Sequence, residues 1–76
     1  MIFLFLSDMR ENQLGVISAI NFSNSFSKRL ADMGFSKGEK VECIKISTFS
    51  SPILYRVKGS NIALRKVDAK RIGVIV

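Results

Sequence analysis

The chain has 76 residues and carries twelve basic against six acidic side chains, a formal net charge of +6 at pH 7. Because 47% of the residues are hydrophobic and 24% are charged, the composition excludes both a disordered tail and an integral membrane protein. We expect residues 1–76 to form a single folded domain, whose small core buries only about 60% of the surface of the unfolded chain.

The first six residues, MIFLFL, are the most hydrophobic stretch. A helix that spans a bilayer needs about 20 apolar residues, and residues 7–10 lack the order of features of a secretory signal. Two interpretations remain open: a strand or arm that packs on the domain, or an apolar segment that docks on a partner or drives formation of a homo-oligomer. The polar residues 8–13 then indicate a turn, in which Asn12 tolerates a left-handed backbone.

The pattern of residues 15–33 predicts a strand followed by a short helix. Apolar residues alternate over Gly15–Ile20, which predicts a strand. The serines and asparagines of residues 21–25 offer helix N-caps, with Asn24 or Ser25 well placed for that role. Since a short helix is marginal in isolation, we expect this helix to be held by packing against the sheet.

The helix has one apolar face and a glycine stop. Phe26, Leu30 and Met33 recur at the i, i+4, i+7 spacing that places them on one side of a helix. Gly34 follows where helices commonly end in a left-handed residue, which glycine adopts without a Cβ penalty. In that geometry Phe35 and Leu30 are the apolar pair that touches across the helix end.

A tight turn and a second strand come next. Residues 36–38 have turn composition, with Gly38 as its glycine. The strand predicted over Val41–Ile46 changes its apolar side between Cys43 and Ile44, which indicates a bulge or bend. Cys43 is the single cysteine and cannot form an internal disulfide, so we expect a buried thiol in a reducing compartment.

The second half of the chain predicts three further strands. Residues 47–52 read as a hairpin loop in which Phe49 either folds back over the core or is presented to a partner. A strand is predicted over Ile53–Val57, with basic residues on its solvent-exposed face, and residues 59–61 are predicted to form the next turn. The last strands are predicted over residues 62–64 and 72–76, with Arg65 pointing outward and one short turn at residues 67–71 between them.

The residues that support catalysis or metal binding are missing from the sequence. There is no histidine, which removes the commonest general base and the commonest transition-metal ligand. One cysteine cannot complete a soft metal site, the carboxylates are scattered among basic residues, and no glycine-rich phosphate loop occurs. We therefore expect neither an enzyme nor a bound metal or cofactor.

The run from Lys28 to Gly38, KRLADMGFSKG, resembles the "RRLLDLGLTPG" signature of the FeoA family, small SH3-like barrels associated with bacterial ferrous iron uptake. The resemblance extends in order over nearly the whole chain after Leu6, including residues 15–17, 51–53, 57–59 and the "LSLR"-like residues 62–65. It departs from the family before the first strand and at the turn, where residues 36–38 replace Thr-Pro-Gly. The fold implied is mainly β, a partly open five-stranded SH3-like barrel with one short α-helix between its first two strands.

The resemblance implies a non-catalytic, cytoplasmic interaction module that binds or regulates the GTPase-bearing cytoplasmic part of the ferrous iron permease. The candidate partner-binding residues are Lys28, Arg29, Phe35, Phe49 and Arg65. The candidate structural residues are Leu30, Met33, Gly34 and Gly38.

The alternative is a small basic barrel that binds nucleic acid, since a charge of +6 on so short a chain and exposed aromatic rings are features of such proteins. Base stacking needs neighbouring exposed rings on one sheet face. Tyr55 is the one aromatic residue of the three middle strands, with Phe49 in the loop beside them. We therefore rank nucleic acid second to a protein partner.

Overall fold

The computed structural model describes residues 1–21, 24–49 and 51–76, without the side chains of Asn24, Phe26 and Ser27. Its elements, in chain order, are β1 (Phe3–Phe5), a 3-10 turn (Leu6–Asp8), β2 (Leu14–Ile20), α1 (Asn24–Asp32), β3 (Lys40–Ile46), β4 (Ile53–Val57), β5 (Ser60–Leu64), α2 (Lys66–Ala69) and β6 (Ile72–Ile75). The fold is therefore mainly β, and the expected helix lies between the first two of the predicted strands, here β2 and β3.

The strands form one antiparallel, open sheet in the order β1-β6-β2-β3-β4-β5. It has one strand more than the five predicted, because the apolar start of the chain pairs with its end: Phe3 lies opposite Ile75 and Phe5 opposite Gly73. Gly73 leaves room for the Phe3 ring, with which a Cβ at this position would collide. The first of the two interpretations of MIFLFL, a strand packed on the domain, is thus confirmed.

The end of α1 confirms the predicted glycine stop. Gly34 has φ +106°, the Gly34 N–H donates to the Ala31 carbonyl oxygen at 3.0 Å, and the Phe35 N–H donates to the Leu30 carbonyl oxygen at 2.9 Å. These two bonds are those of a Schellman cap. Leu30 is fully buried, whereas 41% of the surface of Met33 is exposed. Met33 follows Asp32, the last residue of α1, and lies on the solvent side of the cap. Its prediction as a core residue is wrong.

The start of α1 lies partly outside the described residues. Asn24 and Ser25, the predicted caps, are in the first turn of the helix, and the residue before it is not described. The prediction that Phe26 packs on the sheet likewise falls on a side chain outside the description.

Two irregularities shape the middle of the sheet. Gly38 has φ +89° and ends a turn closed by the Glu39 N–H, which donates to the Ser36 carbonyl oxygen at 3.1 Å. Between Cys43 and Lys45 the register of β3 against β4 shifts by one residue, so the predicted bulge is confirmed. It allows Cys43 to face the core while the strand beyond it bends.

The β4–β5 hairpin turns earlier than predicted. Val57 pairs with Ser60, and the two residues between them both have positive φ, +51° at Lys58 and +77° at Gly59. This is the pattern of a type I′ turn, whose twist matches that of the flanking strands. Ser60 and Asn61 belong to β5, so their prediction as turn residues is wrong.

The core lies on the inner face of the sheet, under α1 and α2. Tyr55 is fully buried, and its hydroxyl donates a hydrogen bond to the Leu6 carbonyl oxygen at 2.9 Å. The Phe35 ring meets Tyr55 edge to face, with centroids 6.5 Å apart. The other fully buried large side chains come from every part of the chain: Leu6, Ile17, Leu30, Val41, Cys43, Ile53, Val57, Ile72 and Val74.

Candidate interaction surface

Lys28 and Arg29 lie on the exposed side of α1, one turn before its end. Neither forms an ion pair with any carboxylate of the described residues. Arg29 lies in the last turn of α1, where the negative end of the helix dipole stabilises a cation. The charges of both exposed side chains are available to an anionic surface.

Phe49 is the most exposed aromatic ring of the described residues. It lies in the loop between β3 and β4 and is 90% accessible, so it does not fold back over the core. The loop itself is confirmed, although Ser50, beside Phe49, lies outside the described residues. An aromatic ring at an exposed loop position can bury a large apolar area on contact with a partner.

Arg65 points outward as predicted, but its guanidinium is engaged. Its Nε lies 3.1 Å from the Asp68 carboxylate, to which it donates a hydrogen bond across the first turn of α2. The arginine side chain is 72% exposed, and an exposed pair of this kind contributes about 0–1 kcal/mol. Arg65 can therefore exchange Asp68 for a partner's carboxylate at little cost.

Phe35, proposed as a partner-binding residue, is buried. None of its surface is accessible, because the glycine stop turns it inward over Leu30 and its ring packs against Tyr55. Its role is to hold the end of α1 on the sheet. The partner-binding prediction for Phe35 is therefore wrong.

The remaining predicted residues occupy three separate places: the exposed side of α1, the β3–β4 loop and the start of α2. The start of α2 is joined to the β3–β4 loop, because the Lys66 N–H donates a hydrogen bond to the Ser51 hydroxyl oxygen at 3.3 Å. Within the described ranges, no side-chain hydrogen bond, ion pair or ring contact joins α1 to either of them. A partner that uses all the predicted residues would therefore have to span α1 and the adjoining loop and α2.

An apolar surface lies on the outer face of the sheet, and the sequence indicated only the part of it that residues 1–6 contribute. Phe3, Phe5, Leu14 and Val16 are exposed by 55%, 48%, 65% and 40%, and the half-buried Ile75 lies opposite both Phe3 and Val16. Cross-strand neighbours of this kind share one face of a sheet. These five residues form a continuous apolar surface across β1, β6 and β2, which we call the outer strip.

The signal for the outer strip was present in the sequence but ambiguous. Residues 14–17, LGVI, place apolar side chains on both faces of β2, a pattern typical of strands that are covered on both sides. Alternation alone does not tell which face meets the core. The structure assigns Ile17 to the core and Leu14 and Val16 to the outside.

Burial changes the acidity of two inward-facing groups. It raises the pKa of the Cys43 thiol, with a smaller contribution from the carboxylate of Glu11. It also raises the pKa of the Tyr55 hydroxyl, to which Cys43 and Asp8 add. Both groups are therefore held in their neutral forms, in which a thiol is a poor nucleophile and a poor metal ligand.

The described residues offer no other site of chemistry. Apart from Cys43 and Tyr55, no described residue with a polar or charged side chain is buried as a whole, and no group of three or more His, Cys, Asp or Glu in these ranges could hold a metal ion. None of the helices described combines the length and hydrophobicity that crossing a bilayer requires. What these parts of the chain present to other molecules is exposed apolar and basic surface.

Comparison with known proteins connects this arrangement to ferrous iron transport. The sequence model of the FeoA domain matches residues 5–76. The Fe(2+) transport protein A/Fe(2+) transporter FeoB fusion protein of Porphyromonas gingivalis is 30% identical over 69 residues, which cover 91% of this chain and 8% of the relative. The chain thus spans less than a tenth of the length of that protein.

Two solved structures share both fold and sequence with the chain. Iron(II) transport protein A from Clostridium thermocellum is 30% identical with a TM-score of 0.91, over 96% of this chain and 45% of that one. Stenotrophomonas maltophilia FeoA in complex with zinc is 29% identical with a TM-score of 0.80, over 95% and 89%. The latter is a prokaryotic SH3 domain protein put forward as an activating factor of ferrous iron transport. The open six-stranded sheet of this chain is thus an SH3-like fold.

Proposed function

The chain belongs to the FeoA family, which is linked to ferrous iron transport, and we propose that it is a non-catalytic, cytoplasmic interaction module of that system. Its partner is the GTPase-bearing cytoplasmic part of the ferrous iron transporter. Its contribution is to bind that part and regulate it, while the chemistry of transport stays with the transporter.

The observation that carries this proposal is the fusion in Porphyromonas gingivalis, where a domain similar to this chain and the Fe(2+) transporter FeoB are one polypeptide. Covalent linkage holds two modules at a high effective concentration. Such linkage favours modules that act together, so the fusion supports an association between a domain of this kind and the transporter. The exposed Phe49 and the unpaired cations of α1 supply contacts of the kind found at the centre of protein interfaces.

The experiment is a titration of the immobilised chain with the purified cytoplasmic part of the transporter from the same organism. We expect saturable binding, weakened about tenfold by Phe49→Ala and by Arg29→Glu, as for central contact residues. Val67→Ala and Lys70→Glu are the matched controls, since both positions are exposed and lie on or beside α2. Unchanged melting temperatures would show that all four variants are folded.

Absence of binding by the folded wild-type chain at micromolar concentrations would overturn the proposal. So would equal weakening by the contact variants and their controls, because the binding would then not depend on the surface identified.

One observation favours nucleic acid as a second candidate. Phe3 and Phe5 are neighbouring exposed rings on one sheet face, with centroids 5.8 Å apart. Their planes, however, are inclined at 79°, so the two rings do not present parallel faces to successive bases. Of the two rings that the sequence offered for stacking, Tyr55 is buried and Phe49 lies in the β3–β4 loop.

Salt dependence separates the two candidates. Nucleic-acid binding releases counterions, so its affinity falls log-linearly with salt and responds about equally to loss of any basic contact residue, such as Lys45, Lys58 or Arg65. We expect weak oligonucleotide binding that disappears at physiological salt. Tight binding that persists there, without binding to the transporter fragment, would favour the second candidate.

A further inference from the structure

The outer strip borders two grooves that meet at β2 and β3. The first has a volume of about 320 Å³ and is walled by Leu14, Val16 and Ile75, with Lys40 as its one charged lining residue. The second, of about 180 Å³, continues from Leu14 and Lys40 across the outer faces of β3 and β4. Because they share these two residues, the grooves form one trough that is apolar at one end and charged at the other.

The charged end of the trough is predominantly basic. Lys40, Arg56 and Lys58 line it, together with the carboxylate of Glu42. Two of these cations have a carboxylate partner: the half-exposed Arg56 guanidinium lies 4.0 Å from Glu42, and the Lys58 ammonium lies 3.4 Å from Glu39. Lys40 forms no ion pair within the described part of the chain. The charge of Lys40 is therefore uncompensated, and it lies directly beside an exposed apolar surface.

We propose that this trough binds a peptide segment in which apolar side chains are followed closely by carboxylates. The apolar side chains would lie on Leu14, Val16 and Ile75, and the carboxylates would meet Lys40 and the cations beyond it. The inference deepens the proposed function and depends on it only for the source of the segment, which would be the transporter's cytoplasmic part.

Charge complementarity selects this occupant over a second copy of the chain. A symmetric dimer buries the same patch of both subunits in one interface, so it would bring two copies of the unpaired Lys40 into that interface on a protein with a net charge of +6. Like charges brought together at an interface are strongly unfavourable. An acidic segment instead removes the excess positive charge and covers the apolar strip in one step.

The test uses the full chain to select from a phage-displayed library of short random peptides, followed by fluorescence anisotropy with the most enriched peptide. We expect enriched sequences to carry apolar residues beside Asp or Glu. Leu14→Ser should weaken the selected peptide about tenfold, with Val67→Ser as its control because the two side chains are similarly exposed, by 65% and 60%. Lys40→Glu should abolish the preference for acidic over amide-substituted peptide, whereas Lys45→Glu, an exposed lysine on the same strand, should retain it.

Several results would overturn the inference. These are failure to enrich any sequence, enrichment of peptides without acidic residues, and equal weakening by the control variants. Two further results would assign the outer strip to another occupant. One is a dimer, detected by sedimentation, that Leu14→Ser dissociates. The other is binding to anionic vesicles in place of peptide binding. Because this assay contains no transporter, its failure leaves the titration of the transporter fragment as an independent result.

Discussion

The Phe35 N–H donates a hydrogen bond to the Leu30 carbonyl oxygen at 2.9 Å, and both side chains are fully buried. The residue between them that makes this contact possible is Gly34, at φ +106°. A Cβ at Gly34 would meet Val57 at an ordinary distance of 3.4 Å. The requirement for glycine is therefore one of backbone conformation rather than of space.

Gly34→Val should lower the free energy of unfolding by about 1–3 kcal/mol, because a β-branched residue is strained at positive φ. Ala31→Val, on the exposed side of α1, is the matched control and should cost less than about 1 kcal/mol. Chemical denaturation of the two variants measures both effects. Equal stability of Gly34→Val and wild type would contradict the assigned cap.

The Tyr55 hydroxyl links two distant parts of the chain through its hydrogen bond to Leu6. Because burial raises the pKa of Tyr55 above its ordinary value of 10.0, the unfolded chain loses this proton at lower pH than the folded chain does. The stabilisation associated with the neutral hydroxyl is therefore fully present below about pH 10 and is lost as the pH rises above it.

Tyr55→Phe should destabilise the protein at neutral pH by about 1–2 kcal/mol, since the hydrogen bond is lost. Above about pH 10 the stability of wild type should fall more steeply than that of the variant, by about 1.4 kcal/mol per pH unit. Urea denaturation at a series of alkaline pH values measures the difference. Parallel pH profiles would show that the hydroxyl ionises as freely in the folded state as in the unfolded one.

Ser18 lies where the register of β2 against β6 shifts, and its hydroxyl is buried with no hydrogen-bond partner among the described residues. A buried hydroxyl without a partner costs stability relative to an apolar group. Ser18→Ala should therefore leave the free energy of unfolding unchanged or raise it by up to about 1 kcal/mol. Chemical denaturation of the variant and of wild type measures this difference. A loss of more than that amount would indicate a hydrogen bond at this position.

The absence of histidine and the burial of Cys43 predict poor binding of transition metals. We expect calorimetric titration of the purified chain with ferrous iron or zinc to reveal no stoichiometric site of micromolar affinity. Zinc provides the stricter test of this prediction, because the related Stenotrophomonas maltophilia FeoA was solved in complex with zinc. A stoichiometric micromolar site for either ion would contradict this prediction.

Local sequence patterns predicted the features that depend on neighbouring residues. The glycine stop at Gly34 and the bulge after Cys43 both follow from spacing within a few residues, and the structure confirms both. The exposure of Met33 was missed because helical periodicity assumes that the helix continues, whereas α1 ends at Asp32.

The candidate site was harder to predict, since it depends on pairing between distant strands. Phe35 satisfies both the pattern of a cap contact and that of an exposed aromatic residue, and only its packing against Tyr55 decides between them. The outer strip joins the two ends of the chain through the pairing of Phe3 with Ile75. No local pattern specifies that pairing or which apolar face of β2 is turned outward.

The central claim is that the chain serves ferrous iron transport by contacting the transporter. It is tested most directly by measuring uptake of radiolabelled ferrous iron in cells that retain the transporter but lack this chain. We predict that uptake falls on deletion and is restored by wild type and by Val67→Ala, but not by a chain carrying both Phe49→Ala and Arg29→Glu. Unchanged uptake in the deletion strain, with the transporter present at its normal level, would contradict the account.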